Sequence, residues 1–192
     1  YVLNGLQNYK LNIFTDNIIP IINSEEEFER IKNKNIKFGI HFDTGINRLG
    51  IFYKDFQKYN DQSISLILSH LSSADERSNS YNNYQRKNFL SIIKEFKKSN
   101  IIFSLSNSNG AILNNDYKFD MIRPGIGLYG GHDNSKLKKY IRPVIRLKGK
   151  IIQIKKIYKN QFVGYNQTFK TKRNILAAII GTPCHTFGVP LK

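Results

Sequence analysis

Cysteine is almost absent from this chain, whose 192 residues contain only Cys184. A single thiol cannot form an internal disulfide, which fits a reducing compartment. Long apolar segments are also missing, because no run reaches the roughly 18 residues that a transmembrane helix needs. The first residues lack a basic segment followed by an apolar core, so we expect no signal peptide and a cytoplasmic location.

Acidic residues are scarce, with 14 Asp and Glu against 30 Lys and Arg and a net charge of +16. Such a balance can mark a nucleic-acid partner. The lysines, however, are spread along the chain, and we find no zinc-finger spacing, ribonucleoprotein motif or tight arginine stripe. An AT-rich coding bias would give the same excess of Lys, Asn and Ile. We therefore expect solvated lysine faces and neither a nucleic-acid nor a membrane partner.

Buried strands and amphipathic helices alternate along the first part of the chain. The predicted strands include "IKFGIHFD", "SISLILSHL" and "IIFSLSNSN", and the predicted helices are "SEEEFERIKNK" and "NSYNNYQRKNFLSIIKEFKKSN". Ser24 can cap the first helix, with Glu27 three residues on. Ser72 or Ser73 is expected to cap a further helix. This alternation predicts parallel βα units.

The pattern changes after about residue 140, where "RPVIRLKGKIIQIKKIYKN" alternates apolar and polar residues with period two. That period predicts antiparallel β structure. We therefore expect two domains, a βα domain over residues 1–140 and the start of an all-β domain over residues 141–192.

Polar residues end the predicted strands of the first domain: Asp43, His70, Asn107 with Ser108, and Arg123 in "FDMIRPGIGLYG". In a β/α barrel, the carboxyl ends of the strands meet in one mouth, where the active site lies. Polar residues of different chemistry at equivalent strand ends are hard to explain as chance packing.

Taken singly, each motif has an ordinary interpretation beside the functional one. Arg48 in "FDTGINRLGI" could bind an anion or be a surface residue. His70 could be a general acid or base, or a satisfied polar residue. Ser108 could bind phosphate or cap a helix. The glycines after Arg123 allow close approach of a ligand, and Tyr165 is ordinarily a half-buried sheet residue.

The order and spacing of these motifs resemble the alanine racemase family. The words that carry the resemblance are "FDTGINRLGI", "HLSSADE", "SNSNGAIL", "FDMIRPGIGLYG" and "VGYNQTF", and it covers about residues 1–181. It implies the α/β class, as a partial (β/α)8 TIM barrel that binds pyridoxal 5'-phosphate and is followed by an all-β domain. The implied activity is the interconversion of L- and D-alanine, which would supply D-alanine for peptidoglycan.

The resemblance also implies roles for the cofactor-binding residues. Ser108 and the backbone amides of Gly125 and Ile126 match the family's phosphate-binding groups. Arg123 matches the arginine that faces the pyridine nitrogen. An arginine there keeps that nitrogen unprotonated, because a guanidinium only donates hydrogen bonds.

Catalytic roles are implied for three further residues. Arg48 matches the arginine that orients the site and helps bind the substrate carboxylate, and His70 matches the histidine that links Arg123 to the catalytic tyrosine. Tyr165 matches that tyrosine, one of two bases on opposite faces of Cα, which reaches the partner subunit's site in the family. The resemblance therefore implies a homodimer with alanine as substrate and no metal.

Several features depart from the family pattern. The second base is a lysine in a motif like "VVKANAYGHG", which this sequence lacks, and the segment after "AAIIG" reads "TPCHTFGVPLK". Ser104 stands where many members have histidine. We therefore expect a truncated or frameshifted fragment that is poorly stable and inactive alone. The alternatives are a racemase for another amino acid such as serine or lysine, a non-catalytic remnant of a degraded gene, and a basic nucleic-acid-binding protein.

Overall fold

The structure, a computed structural model, describes residues 1–96, 100–131, 140–146, 148–181 and 186–190, with only the backbone at 165 and 186–190. The chain divides into a first unit, Tyr1–Val144, and a second unit, Ile145–Lys192. No helix in these ranges has both the length and the apolar character required to cross a bilayer.

A parallel sheet organises the first unit. Within the described ranges it has five strands: β1 (Ile21–Ile22), β2 (Phe38–Asp43), β3 (Ile51–Phe52), β4 (Ile64–Leu68) and β5 (Ile102–Ser104). The order is β1-β2-β4-β5, and β3 pairs with the end of β2. β2 and β4 are buried over most of their length, as expected for continuous apolar strands covered on both faces. The predicted parallel α/β arrangement is confirmed.

The register aligns the carboxyl ends of the central strands. His41 of β2 lies opposite Leu68 of β4, and Leu68 lies opposite Ser104 of β5. The residues that follow these strands therefore emerge at one edge of the sheet, which we call the carboxyl edge. Every candidate site residue of the first unit belongs to a segment that starts at or crosses this edge.

Helix α1 (Glu25–Ile31) begins where the sequence predicts. The Ser24 hydroxyl accepts a hydrogen bond from the Glu27 amide at 3.2 Å, which confirms the cap. The Glu27 carboxylate does not close a standard capping box. It accepts instead from the amides of Asn23 at 2.7 Å and Leu6 at 2.6 Å, and so ties the start of the chain to the end of β1.

Helix α2 (Ser80–Glu95) packs its predicted apolar face on the sheet, with Phe89 and Ile92 fully buried. Its cap is Asn79, whose side chain accepts from the Tyr81 amide at 2.9 Å. The expected cap at Ser72 or Ser73 is wrong, because the chain there forms turns and the next helix in the described residues starts only at Ser80.

The segment "FDMIR" is not a strand, contrary to the prediction, although it runs beside β5. The Asp120 and Met121 amides donate to the Phe103 carbonyl at 3.1 and 3.2 Å, while the Ser104 hydroxyl donates to the Met121 carbonyl at 2.7 Å. Side-chain bonds replace part of the regular ladder, which explains the irregular backbone. The chain then enters the short 3-10 helix Ile126–Tyr129.

The second unit contains antiparallel strands, as the period-two pattern predicts. The strands are β6 (Lys150–Ile157), β7 (Phe162–Val163), β8 (Phe169–Lys170), β9 (Ile175–Gly181) and β10 (Thr186–Pro190). β9 pairs with both β6 and β10, and β7 pairs with β8. Most of β6 is exposed in this structure. The atypical tail falls partly outside the described residues, since 182–185 and 191–192 are not described.

Asparagine carries many of the left-handed backbone positions of this chain. Positive φ values between 53° and 67° occur at Asn33, Asn35, Asn47, Asn160 and Asn166. Asparagine tolerates this region better than other residues with a Cβ, because its short polar side chain can bond the local backbone. The turns of an asparagine-rich chain thus need fewer glycines.

Candidate active site

The loop after β2 is anchored at its base and carries Arg48 near its tip. The Asp43 carboxylate accepts from the amides of Gly45 at 2.8 Å and Asn47 at 3.2 Å. The Tyr81 hydroxyl donates to the Gly45 carbonyl at 2.9 Å. Gly45, with φ of 138°, adopts a backbone that other residues rarely reach. Arg48 is exposed, so its guanidinium is available to an anion.

The ends of β2 and β4 are linked through two buried hydroxyl groups. Thr44 Oγ1 and Ser69 Oγ lie 2.7 Å apart, and both residues are fully buried. His70 follows Ser69, and its carbonyl accepts from Gln85 Nε2 at 2.9 Å. Burial, reinforced by the positive charges of Arg123 and Arg48, lowers the pKa of His70 to about 4. His70 is therefore a neutral imidazole at neutral pH.

Arg123 crosses the carboxyl edge between β4 and β5. Its Nη1 donates to Ser104 Oγ at 2.5 Å and its Nη2 donates to the Ser69 carbonyl. Its amide donates to the Ser106 carbonyl at 2.9 Å. Burial lowers the pKa of Arg123 to about 10, which still leaves a full positive charge at neutral pH. Both ends of the guanidinium are held, so its position is well defined.

Ser108 and the turn after Arg123 form a cluster of groups suited to an anion. Ser108 Oγ accepts from the amide of Gly125 at 2.9 Å and from that of Gly127 at 3.1 Å. A Cβ added at Gly125 would meet no atom within 4 Å, so the turn is open on that side. Converging amides and a hydroxyl beside open space are typical of phosphate-binding turns.

The second amide on Ser108 belongs to Gly127. The amide of Ile126, which the resemblance assigns to the phosphate itself, stays a prediction. Ile126 lies between the two glycines with a side chain that is 61% exposed. The glycine-rich motif "PGIGLYG" could have indicated Gly127, since such a backbone permits several amides to converge on one acceptor.

His41 was missed by sequence reasoning. It lies within the apolar run of β2, is buried, and its Nδ1 lies 3.1 Å from Asn23 Oδ1. Its Nε2 has no hydrogen-bond partner among the described residues. Burial, with the charges of Arg123, His70 and Arg48 acting in the same direction and Asp43 opposing them, lowers the pKa of His41 to about 4. The sequence does offer one signal for His41, because it is a polar residue within the otherwise apolar strand "FGIHFD".

The first unit therefore brings Arg48, His70, Arg123 and the Ser108 turn to one edge of the sheet. Tyr165 belongs to the second unit, in the 3-10 helix Tyr165–Gln167 between β7 and β8. Its side chain lies outside what the structure describes. The charges of Arg48 and Arg123 both act on the two histidines of this edge, which makes the first-unit site suited to an anionic ligand.

Comparison with known proteins places these residues in context. The family described as alanine racemase, N-terminal domain, matches residues 1–133. The alanine racemase of Rickettsia bellii (strain RML369-C) is 31% identical over 194 residues, covering 93% of this chain and 47% of that protein. The alanine racemase of Rickettsia canadensis (strain McKiel) is 33% identical over 193 residues, covering 93% and 52%. The chain thus spans about half the length of the curated relatives it matches.

Solved structures give the same result. The alanine racemase from Bartonella henselae with covalently bound pyridoxal phosphate matches with a TM-score of 0.62 and 31% identity, covering 93% of this chain and 53% of that one. The biosynthetic alanine racemase from Pseudomonas aeruginosa matches with a TM-score of 0.63 at 22% identity, which supports the fold alone.

Proposed function

The chain belongs to the alanine racemase family, as its motifs predicted, and we propose that it forms part of a pyridoxal-phosphate-dependent enzyme that interconverts L- and D-alanine. The curated relatives are named alanine racemases. Because this chain spans about half of their length, the activity is proposed for the assembled enzyme. A homodimer, a cytoplasmic location and a supply of D-alanine for peptidoglycan belong to the same proposal.

The turn at Ser108 is the observation that carries the proposal. Two backbone amides, of Gly125 and Gly127, converge on a hydroxyl beside open space. A phosphate accepts hydrogen bonds from amides and hydroxyls alike, so one anion could replace the mutual contacts of these groups. The residues present therefore fit the phosphate of pyridoxal phosphate, with Ile126 offering a further amide from the same turn.

Arg123 fits the pyridine nitrogen of the same cofactor. The guanidinium is fixed by Ser104 and the Ser69 carbonyl and stays charged at neutral pH. When bound, pyridoxal phosphate supplies an electron sink for negative charge at the substrate Cα. Because a guanidinium has only donors, Arg123 would hold the ring nitrogen unprotonated and so limit that sink. A limited sink suits an enzyme that must return the proton rather than lose it to side reactions.

The remaining residues would handle the substrate and the proton. Arg48, exposed on the loop after β2, would bind the substrate carboxylate through its planar fork. Tyr165 would exchange the proton at one face of Cα, and His70 would connect this tyrosine to Arg123. The base for the opposite face would be a lysine in a segment like "VVKANAYGHG", which these residues do not contain.

The direct test compares binding of pyridoxal 5'-phosphate with binding of pyridoxal, which has no phosphate, by calorimetry on the 192-residue chain. We expect pyridoxal phosphate to bind more tightly. Ser108→Ala should weaken its binding about 10-fold, as expected for one hydrogen bond to a charged group. Ser91→Ala is the matched control, since within the described part of the chain that hydroxyl bonds only the carbonyl of Asn88 in its own helix at 2.6 Å. Equal affinity for both ligands would contradict the proposed phosphate site.

A further inference from the structure

The hydrogen bonds of Asn23 determine which ring nitrogen of His41 carries the proton. Asn23 Nδ2 donates to the carbonyls of Leu3 at 3.1 Å and Ile21 at 3.0 Å. Carbonyl oxygens only accept, so the amide group cannot be turned around. Its Oδ1 therefore faces His41 Nδ1 at 3.1 Å as an acceptor. His41 Nδ1 must then be the protonated nitrogen.

The other nitrogen of His41 is consequently an acceptor without a donor. A neutral imidazole protonated at Nδ1 has a lone pair at Nε2. This atom is buried and unpaired among the described residues, in a side chain that is 6% exposed. An unpaired buried acceptor loses its hydrogen bond to water without gaining another, so such a group is expected to have a use. The charges that act on this ring belong to Arg123, His70, Asp43 and Arg48, all of them groups of the carboxyl edge.

Arg48 lies on the loop that follows the strand of His41. Its guanidinium is a hydrogen-bond donor that has no acceptor among the described residues. It is exposed and forms no hydrogen bond or ion pair with the described residues. The loop that carries it returns onto His41 at Gly50, where an added Cβ would lie 3.1 Å from His41 Cδ2 and 3.0 Å from the His41 carbonyl. Arg123, the other cation nearby, already uses both of its terminal nitrogens.

We propose that His41 is a positioning residue for Arg48, whose guanidinium donates to the His41 Nε2 lone pair and is thereby drawn from solvent towards the carboxyl edge. The inference rests on the proposed function, in which Arg48 meets the substrate carboxylate. A neutral acceptor has an advantage over a carboxylate here. It orients the guanidinium without neutralising its charge, and one hydrogen bond leaves the other donors of the fork for the substrate.

The test is nuclear magnetic resonance of the 192-residue chain labelled with 15N in its histidine rings, near neutral pH. His41 is assigned as the signal that His41→Asn removes, and the signal that His70→Asn removes identifies the neighbouring ring. We expect the Nδ1–H tautomer with a hydrogen-bonded Nε2. Arg48→Met should shift the Nε2 resonance to that of a free lone pair and raise the pKa of His41, because it removes both the donor and a nearby positive charge.

The matched control is Lys54→Met, which removes another cation of the same region, one that packs over Tyr53. It should leave the His41 signal unchanged. Arg48 is exposed, so its substitution should not prevent folding. An Nε2 resonance unmoved by Arg48→Met, or an Nε2–H tautomer in the unmutated chain, would overturn the inference. Failure of pyridoxal phosphate to bind would instead contradict the proposed function and leave the His41 result unaffected.

Discussion

Acidification should destabilise the first unit through its two buried histidines. Burial, with help from Arg123 and Arg48, lowers the pKa of His41 and of His70 from 6.5 to about 4. The folded state therefore takes up protons less readily than the unfolded state, so stability is full above pH 6.5 and falls as the pH drops to about 4. For His41 the lowered pKa corresponds to a loss of about 3 kcal/mol in the free energy of unfolding. The half-buried His70 adds about 1–2 kcal/mol after solvent screening.

The assay is urea unfolding of the chain and of His41→Asn at a series of pH values from about 7 to about 4. We expect the variant to lose about 3 kcal/mol less than the unmutated chain over this range, whatever its stability at neutral pH. His70→Asn should remove the smaller share of the pH dependence of stability, the share that arises from His70. Parallel stability curves for the chain and His41→Asn would refute the reasoning, because other titrating groups would then account for the whole effect.

Three further outcomes follow from the packing and the sequence. Phe89→Ala should cost about 3–5 kcal/mol in urea unfolding, because this ring is fully buried and 5.1 Å from Phe119. Tyr84→Ala, on the exposed side of the same helix, should cost far less, and equal costs would contradict this packing. Gly50→Ala should lower the unfolding midpoint by the equivalent of about 1–3 kcal/mol, because φ is 115° and the Cβ site is crowded, whereas Gly125→Ala should be nearly neutral. The purified chain alone should racemise neither alanine, serine nor lysine, and any D-amino acid detected by chiral chromatography would contradict that expectation.

The continuous apolar strands and amphipathic helices were predictable because their signals are local. β2 and β4 follow from uninterrupted apolar runs, and α2 follows from its buried face at Phe89 and Ile92. The Ser24 cap was predictable for the same reason, since a cap bonds an amide three residues on. Contacts within one turn or one strand period are visible in the sequence alone.

Features that depend on distant partners were not predictable. The segment before Arg123 departs from strand geometry because Ser104 and Asp120 side chains replace backbone partners. Likewise, the significance of His41 lies in Asn23, which is 18 positions away in sequence. The roles predicted for Arg48, His70 and the Ser108 turn remain predictions, although the first two lie close enough for the Arg48 charge to act on His70.

The left-handed asparagines bear on how this sequence can change over time. Five turns that a glycine could occupy use Asn33, Asn35, Asn47, Asn160 and Asn166 instead. Asparagine has fewer accessible backbone states than glycine in the unfolded chain, so each such turn costs less entropy to form. A mutational drift that enriches asparagine could therefore proceed at these turns while the fold is retained. Replacing Gly50 by asparagine would be harmful, because the Cβ of any replacement would lie too close to the His41 ring.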